Sequence, residues 1–194
     1  MEKNELNKSI DLLVIGGSAG SFSILMELIP LIKPQISFPI LIVLHRKSSI
    51  QTSIADIFNK KTTLQVFECE DKETLLPNNI YFAPADYHIM IEKDNSICLD
   101  YSEKINYSRP AIDITFKSAS QIYQSRLAAI LLSGANNDGA KGLEYIHQNF
   151  GTTIVQNPAT AEVENMPASA IKLFKPTYVA NVADMAHLIN NFNT

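Results

Sequence analysis

The chain has 194 residues, of which 46% are hydrophobic and 19% charged, with a formal net charge of −4. That length suits one domain burying roughly 70% of its unfolded surface, and the absence of a basic stripe argues against nucleic acid as a partner. Two cysteines, Cys69 and Cys98, are too few for a disulfide framework and read as reduced thiols of an intracellular, cytoplasmic protein. No signal peptide, membrane span, repeat or low-complexity stretch is visible.

The polar Met1–Ile10 leads into Leu12–Ser21, an apolar run that ends in a glycine-rich turn carrying Ser18. Consecutive apolar residues without alternation suit a strand buried on both faces of a parallel sheet. Phe22–Leu31 then shows helical spacing, so Ser18 falls where a strand turns into a helix. Gly16, Gly17 and Gly20 are expected to supply backbone angles that bulky residues resist. The layout is that of a G-x-S-x-G nucleophile turn. The dinucleotide fingerprint fails, because Ser18 and Ser21 replace its second and third glycines, and no lysine follows Gly20 to make a P-loop. Nucleophile, anion loop and plain structural turn stay open at this segment.

Phe38–Leu44 is a second buried strand, ending at His45 with Arg46, Lys47, Ser48 and Ser49 behind it. Thr52–Asn59 reads as a short helix and Leu64–Phe67 as a third strand, followed by the acidic Glu68–Glu73 as a solvated edge. Ile80–Ala83, Tyr87–Glu92 and Ser96–Leu99, separated by turn residues, read as a small antiparallel meander. Ser108 is placed as the N-cap of the next helix, with Pro110 in its first turn. Leu127–Leu132 is a strand ending in the polar turn Ser133–Gly139, which carries Asp138. Ala140–Asn149 is a helix with Gly151 as its C′ residue. Thr152–Gln156, Pro167–Leu173, Tyr178–Ala180 and Val182–Phe192 read as strand, helix, strand and a helix capped by Asn181.

This alternation predicts a doubly wound α/β fold: a mostly parallel sheet, helices on both faces, and a small antiparallel hairpin insert. Ligands of such sheets bind beyond the carboxyl ends of the strands. Three polar turns at that edge supply Ser18, His45 and Asp138. A serine hydroxyl needs a base within reach, and the base needs a carboxylate to orient it. The Ser18 hydroxyl and a His45 ring nitrogen are therefore expected within about 3–4 Å. The Ala19 N–H is a candidate oxyanion donor. The order Ser-His-Asp differs from the Ser-Asp-His of α/β-hydrolases. His88 is the rival base, whereas His147 and His187 sit on helices. No His, Cys and Asp set has metal-ligand spacing, and neither metal nor cofactor is expected.

Six ordered segments resemble the catalytic domain of the CheB protein-glutamate methylesterases of bacterial chemotaxis. They are Val14–Ser21, Leu44-His45, Ala83–His88, Ser108–Asp113, Leu132–Ala140 and the stretch from Gln156-Asn157 to Met166-Pro167. The likeness runs from about residue 11 to 189 and implies one catalytic domain. It implies hydrolysis of γ-glutamyl methyl esters on chemoreceptor helices, and deamidation of receptor glutamines. Its triad carries over to Ser18 as nucleophile, His45 as base and Asp138 as orienting acid, with Arg109 toward the substrate. Ala19 and Ser21 stand where the family has threonine and glycine, and Ala135 and Asn136 where it has methionine and glycine. Met1–Ile10 is too short for the family's receiver domain, so the site is expected to be open by default, with turnover set by receptor encounter or by a separate regulatory protein. The competing readings are a CheB-like signalling or scaffold module of weak catalysis and a nucleotide- or phosphate-binding domain, which the failed fingerprints disfavour.

Overall fold

The computed structural model describes residues 9–46, 53–105 and 107–193. The leading residues 1–8, the run 47–52, position 106 and the final residue 194 lie outside it, and with them Lys47, Ser48, Ser49 and the expected helix start at Thr52. Seven strands form one parallel sheet in the order β3-β4-β2-β1-β7-β8-β9. These are β1 (Leu12–Gly17), β2 (Ile40–Leu44), β3 (Gln65–Glu68), β4 (Asn79–Phe82), β7 (Leu127–Leu131), β8 (Thr152–Gln156) and β9 (Tyr178–Ala180). The remaining two, β5 (His88–Ile91) and β6 (Ile97–Asp100), make an antiparallel hairpin.

Alternate residues of each central strand enter opposite cores. On β1, Leu13 and Ile15 face a core with α1 (Ser21–Leu28), α2 (Ile54–Asn59) and α6 (Val182–Asn191). Leu12 and Val14 face the other, with α3 (Ile112–Tyr123), α4 (Ala140–Gln148) and α5 (Asn165–Leu173). Both faces are covered, so every residue of β1, β2, β7 and β8 is buried and the strands read as unbroken apolar runs. The hairpin rides on α3: Thr115 Oγ1 donates to Ile89 O at 2.9 Å, and Ser118 Oγ accepts Ile91 N–H at 3.1 Å.

Several expectations are corrected. Ile80–Ala83 does not belong to the antiparallel insert. Residues 79–82 pair in parallel with both β2 and β3, because Ile80, Tyr81 and Phe82 have apolar cover on both faces. The residue past α4 with left-handed backbone is Phe150 (φ 64), not Gly151. Gly151 is needed for space, since a Cβ there would lie 2.4 Å from Ile146 Cγ2. Of the three glycines before α1, only Gly20 takes a positive φ (80). Gly16 matters for close approach instead: a Cβ there would stand 2.5 Å from Ile112 Cγ2.

Chain order reverses at β1, which lies between β2 and β7. Folds of this kind bind ligands beyond the carboxyl edge of the sheet at such a reversal, and β1, β2 and β7 end there, followed by Ser18, His45 and the turn that carries Asp138.

Candidate active site

The pairing of β1 with β2 ends at Gly17 opposite Leu44, so the next residues, Ser18 and His45, leave adjacent strands side by side. The ladder continues for one step, with His45 N–H donating to Gly17 O at 3.2 Å. On the other side, Ser18 N–H donates to Ser133 O at 2.9 Å, extending the pairing of β1 with β7. Ser21 Oγ accepts the same Ser18 N–H at 3.1 Å and donates to Ser133 O at 2.7 Å. Ser133 Oγ donates to Ala19 O at 2.7 Å. The turn is therefore fixed from both flanks while the half-buried Ser18 hydroxyl makes no hydrogen bond among the described residues. Ala19 is exposed, and its N–H is unpartnered among the described residues at the start of α1, where the helix dipole is positive.

His45 Nε2 lies 2.8 Å from Asp138 Oδ2. The Asp138 side chain is fully buried, and that of His45 is 13% exposed. Asp138 Oδ2 also accepts Ile112 N–H at 2.7 Å, and Oδ1 accepts Asp113 N–H at 3.0 Å. These are the first two N–H groups of α3, which lack partners inside the helix. Burial is the largest single influence on Asp138 and opposes its ionisation. The hydrogen bonds from His45, Asp113 N–H and Ile112 N–H together outweigh it and hold the carboxyl below its ordinary value. An ionised carboxylate only accepts, so Nε2 carries the ring proton and Nδ1 the lone pair. Nδ1 faces Ser108 Oγ at 3.4 Å.

Ser108 is thus not the N-cap of α3. The helix begins at Ile112 with Ala111 as N-cap and no side-chain cap from its own segment. Asp138 caps it from a distant turn, a relation with no local sequence signature. His88, the rival base, is fully buried with both ring nitrogens committed. Its Nδ1 accepts Ala111 N–H at 3.1 Å and its Nε2 lies 3.0 Å from Glu103 O. Arg109 Nη1 donates to Tyr101 O at 2.9 Å and Ser102 O at 2.6 Å, and the guanidinium lies 3.8 Å from the Tyr101 ring centroid.

His45 and Asp138 are brought into contact, and Ser18 stands at the same edge without a hydrogen bond to His45 among the described residues. Sequence reasoning missed Ser133 and Ser21 as the braces of the serine turn. It also missed Met166, whose Sδ and Cε fill the space beside Gly134. Their polar or apolar character gave no periodic signal. Among the described residues no group of three or more His, Cys, Asp or Glu could hold a metal ion. No helix there is long and apolar enough to cross a membrane.

An open parallel sheet with a serine turn and a buried Asp–His pair at its switch point has the layout of a serine hydrolase. Residues 13–189 match the family model described as CheB methylesterase. The chain belongs to the CheB methylesterase family. A Leptospira interrogans protein is 38% identical over 176 residues, covering 91% of each chain, and is provisionally named a protein-glutamate methylesterase/protein-glutamine glutaminase. A Thermotoga maritima enzyme of that name is 35% identical over 171 residues, which cover 87% of this chain and 50% of the relative. The crystal structure of the Thermotoga maritima CheB methylesterase catalytic domain superposes with a TM-score of 0.88 at 34% identity, over 93% of this chain and 98% of that one.

Proposed function

We propose that this chain is a hydrolase that demethylates γ-glutamyl methyl esters of chemoreceptor proteins, and hydrolyses receptor glutamine amides, in one catalytic domain with a core of about residues 11–189. The observation that supports it is the Asp138–His45 pair, with His45 leaving its strand next to the strand end that carries Ser18. Ser18 Oγ attacks the γ-carbonyl and its proton passes to His45 Nδ1. The oxyanion develops toward Ala19 N–H, where a prealigned donor is worth about 3 kcal/mol. Collapse expels methanol, or ammonia from glutamine, protonated by Nδ1–H. Water then attacks the acyl-enzyme by the same route and frees Ser18.

Asp138 keeps Nε2 protonated so that Nδ1 is the basic nitrogen, and its negative charge stabilises the imidazolium. Arg109, whose Nη1 is already committed to Tyr101 O and Ser102 O, is part of the same proposal as a contact for the acidic receptor surface. The relatives' names support the substrate class. A cytoplasmic setting, receptor helices as the docking partner and a separate regulatory protein belong to the same proposal.

A second reading, a CheB-like scaffold of weak turnover, draws on the unbonded Ser18 hydroxyl. One assay separates the two: methanol release from methylated receptor helices by wild type and by Ser18→Ala. The expected result is release by wild type and a loss of several orders of magnitude in the variant. Equal release by both would exclude Ser18 as nucleophile, and none by either would favour the scaffold.

A further inference from the structure

The triad does not account for the group that faces His45 Nδ1. That nitrogen must take the serine proton, because Nε2 is held by Asp138 at 2.8 Å. Its neighbour is the hydroxyl of Ser108, at 3.4 Å. The contact is long, but the residue that makes it is firmly placed. Ser108 N–H donates to Ile105 O at 2.9 Å and Ile105 N–H to Ser108 O at 3.1 Å, which ties the two residues together. On one side of Ser108, Arg109 ties the segment to the carbonyls of Tyr101 and Ser102. Beyond it, Ala111 N–H is fixed to His88 and Ile112 N–H to Asp138. The loop that carries Ser108 is therefore anchored to the same carboxylate that anchors His45.

We propose that Ser108 is a positioning residue for the reaction: its hydroxyl is the second fixed partner of the His45 ring. One hydrogen bond, to Asp138, leaves an imidazole free to swing about that contact. A second, at the opposite nitrogen, sets the ring plane. A hydroxyl suits both states of the base, since it both donates and accepts. It donates to the Nδ1 lone pair while the ring is neutral. Once Nδ1 has taken the proton from Ser18, the hydroxyl turns and accepts from Nδ1–H, and the exchange reverses when the leaving group is protonated. At 3.4 Å the contact is long, so Nδ1 stays open to the Ser18 proton while Ser108 keeps the ring plane.

This inference rests on the proposed serine-hydrolase reading, so its test needs one readout of turnover and one that is independent of turnover. The first compares methanol release by Ser108→Ala, Ser108→Thr and wild type. Misplacing a catalytic group by about 1 Å costs up to 10²-fold. Ser108→Ala should lose about tenfold in kcat with KM unchanged, and Ser108→Thr, which keeps the hydroxyl, should stay within about twofold of wild type. The second follows the His45 imidazole nitrogens by ¹⁵N NMR of the full chain. Ser108→Ala should move the Nδ1 resonance and leave Nε2 in place, and Ser108→Thr should restore it. A Ser108→Ala protein with wild-type kcat, a loss confined to KM, or a threonine variant as impaired as alanine would overturn the proposal. If wild type releases no methanol, the activity reading fails by itself and the resonance decides the contact. A moved Nδ1 then supports Ser108 as the second partner of His45, and an unmoved one removes it.

Discussion

Asp138 accepts the backbone N–H of Ile112 at 2.7 Å through Oδ2, the same oxygen that holds His45 at 2.8 Å. One buried atom thus joins the start of α3 to the His45 ring, so helix capping and ring orientation cannot be altered separately. Asp138→Asn offers at most one acceptor where three donors converge, and its amide N–H₂ leaves Nε2–H without a charged partner. The expected result is a kcat loss of about 10⁴-fold, as when the aspartate of a Ser-His-Asp triad becomes asparagine. Asp138→Ala adds a stability loss of about 1–3 kcal/mol, because buried N–H groups are left unmet. Steady-state kinetics with urea melts on both variants checks this. An Asn variant with near wild-type kcat would show that His45 is oriented by something else.

The two carboxylates at this helix start respond to pH with opposite sign. The Asp138 carboxyl is held below its ordinary value, so the folded state binds its proton less readily than the unfolded state. Its contribution to stability is complete above the unfolded carboxylate value of about 3.9 and is lost as pH falls through the lower folded value. Asp113 is raised, chiefly by burial and also by the nearby charge of Asp138, although Gly142 N–H bonded at 2.7 Å opposes the shift. Ionised Asp113 therefore costs stability above its folded value, a cost relieved as pH falls through it. Asp113→Asn, whose Oδ1 still accepts Gly142 N–H, is expected to match or exceed wild-type stability at pH 7. Its advantage should shrink toward acid. Urea midpoints between pH 7 and pH 3 test both signs, and a destabilised Asp113→Asn at pH 7 would contradict the assignment.

Most of the sheet is legible in the sequence because burial on both faces writes strands as unbroken apolar runs. β1, β2, β7 and β8 were readable for that reason. β4 was not, since its four residues read equally well as a parallel strand or as one arm of a meander. Only its pairing with β2 and β3 decides. At the site, strand-end position pointed to Ser18, His45 and Asp138, which needs only local reading. The cap that Asp138 gives α3 crosses 26 residues, and the contact of Ser108 with His45 crosses 63. Neither leaves a periodic trace, so Ser108 was legible only as a local cap.

Gly16 is the place where sheet and site are tied most closely. It lies on the β1 face that meets α3, and a Cβ there would stand 2.5 Å from Ile112 Cγ2 and 3.1 Å from Phe116 Cζ. Ile112 is β-branched, so its Cγ2 cannot swing aside cheaply. It is also confined from the far side, where a Cβ on Gly139 would be 2.7 Å from the same methyl. Gly16→Ala must move the start of α3 and with it the N–H groups that hold Asp138. An overpacking cost of about 1–3 kcal/mol is expected, together with a kcat loss of tenfold or more at temperatures where the variant is folded. A variant that loses stability but keeps full kcat would show that the Asp138 anchor tolerates movement of α3.

The two candidate bases separate cleanly by substitution. His88 is fully buried, accepts Ala111 N–H at Nδ1 and meets Glu103 O at Nε2, so neither nitrogen is available to a substrate. His88→Ala leaves the buried Ala111 N–H without a partner and opens a cavity. A loss of about 1–3 kcal/mol follows from that unmet N–H alone. Where the variant is folded, kcat should fall only modestly, through the loop that carries Ser108, and the pH profile should keep its shape. His45→Gln is expected to do the reverse. Its amide can still donate to Asp138, so the fold should stay within about 1 kcal/mol of wild type, while no group remains to take the Ser18 proton. Turnover should then drop by several orders of magnitude. Thermal melts and pH-rate profiles on both variants give the comparison. A His88→Ala protein that is stably folded yet as inactive as His45→Gln would move the base to the hairpin and dissolve the triad.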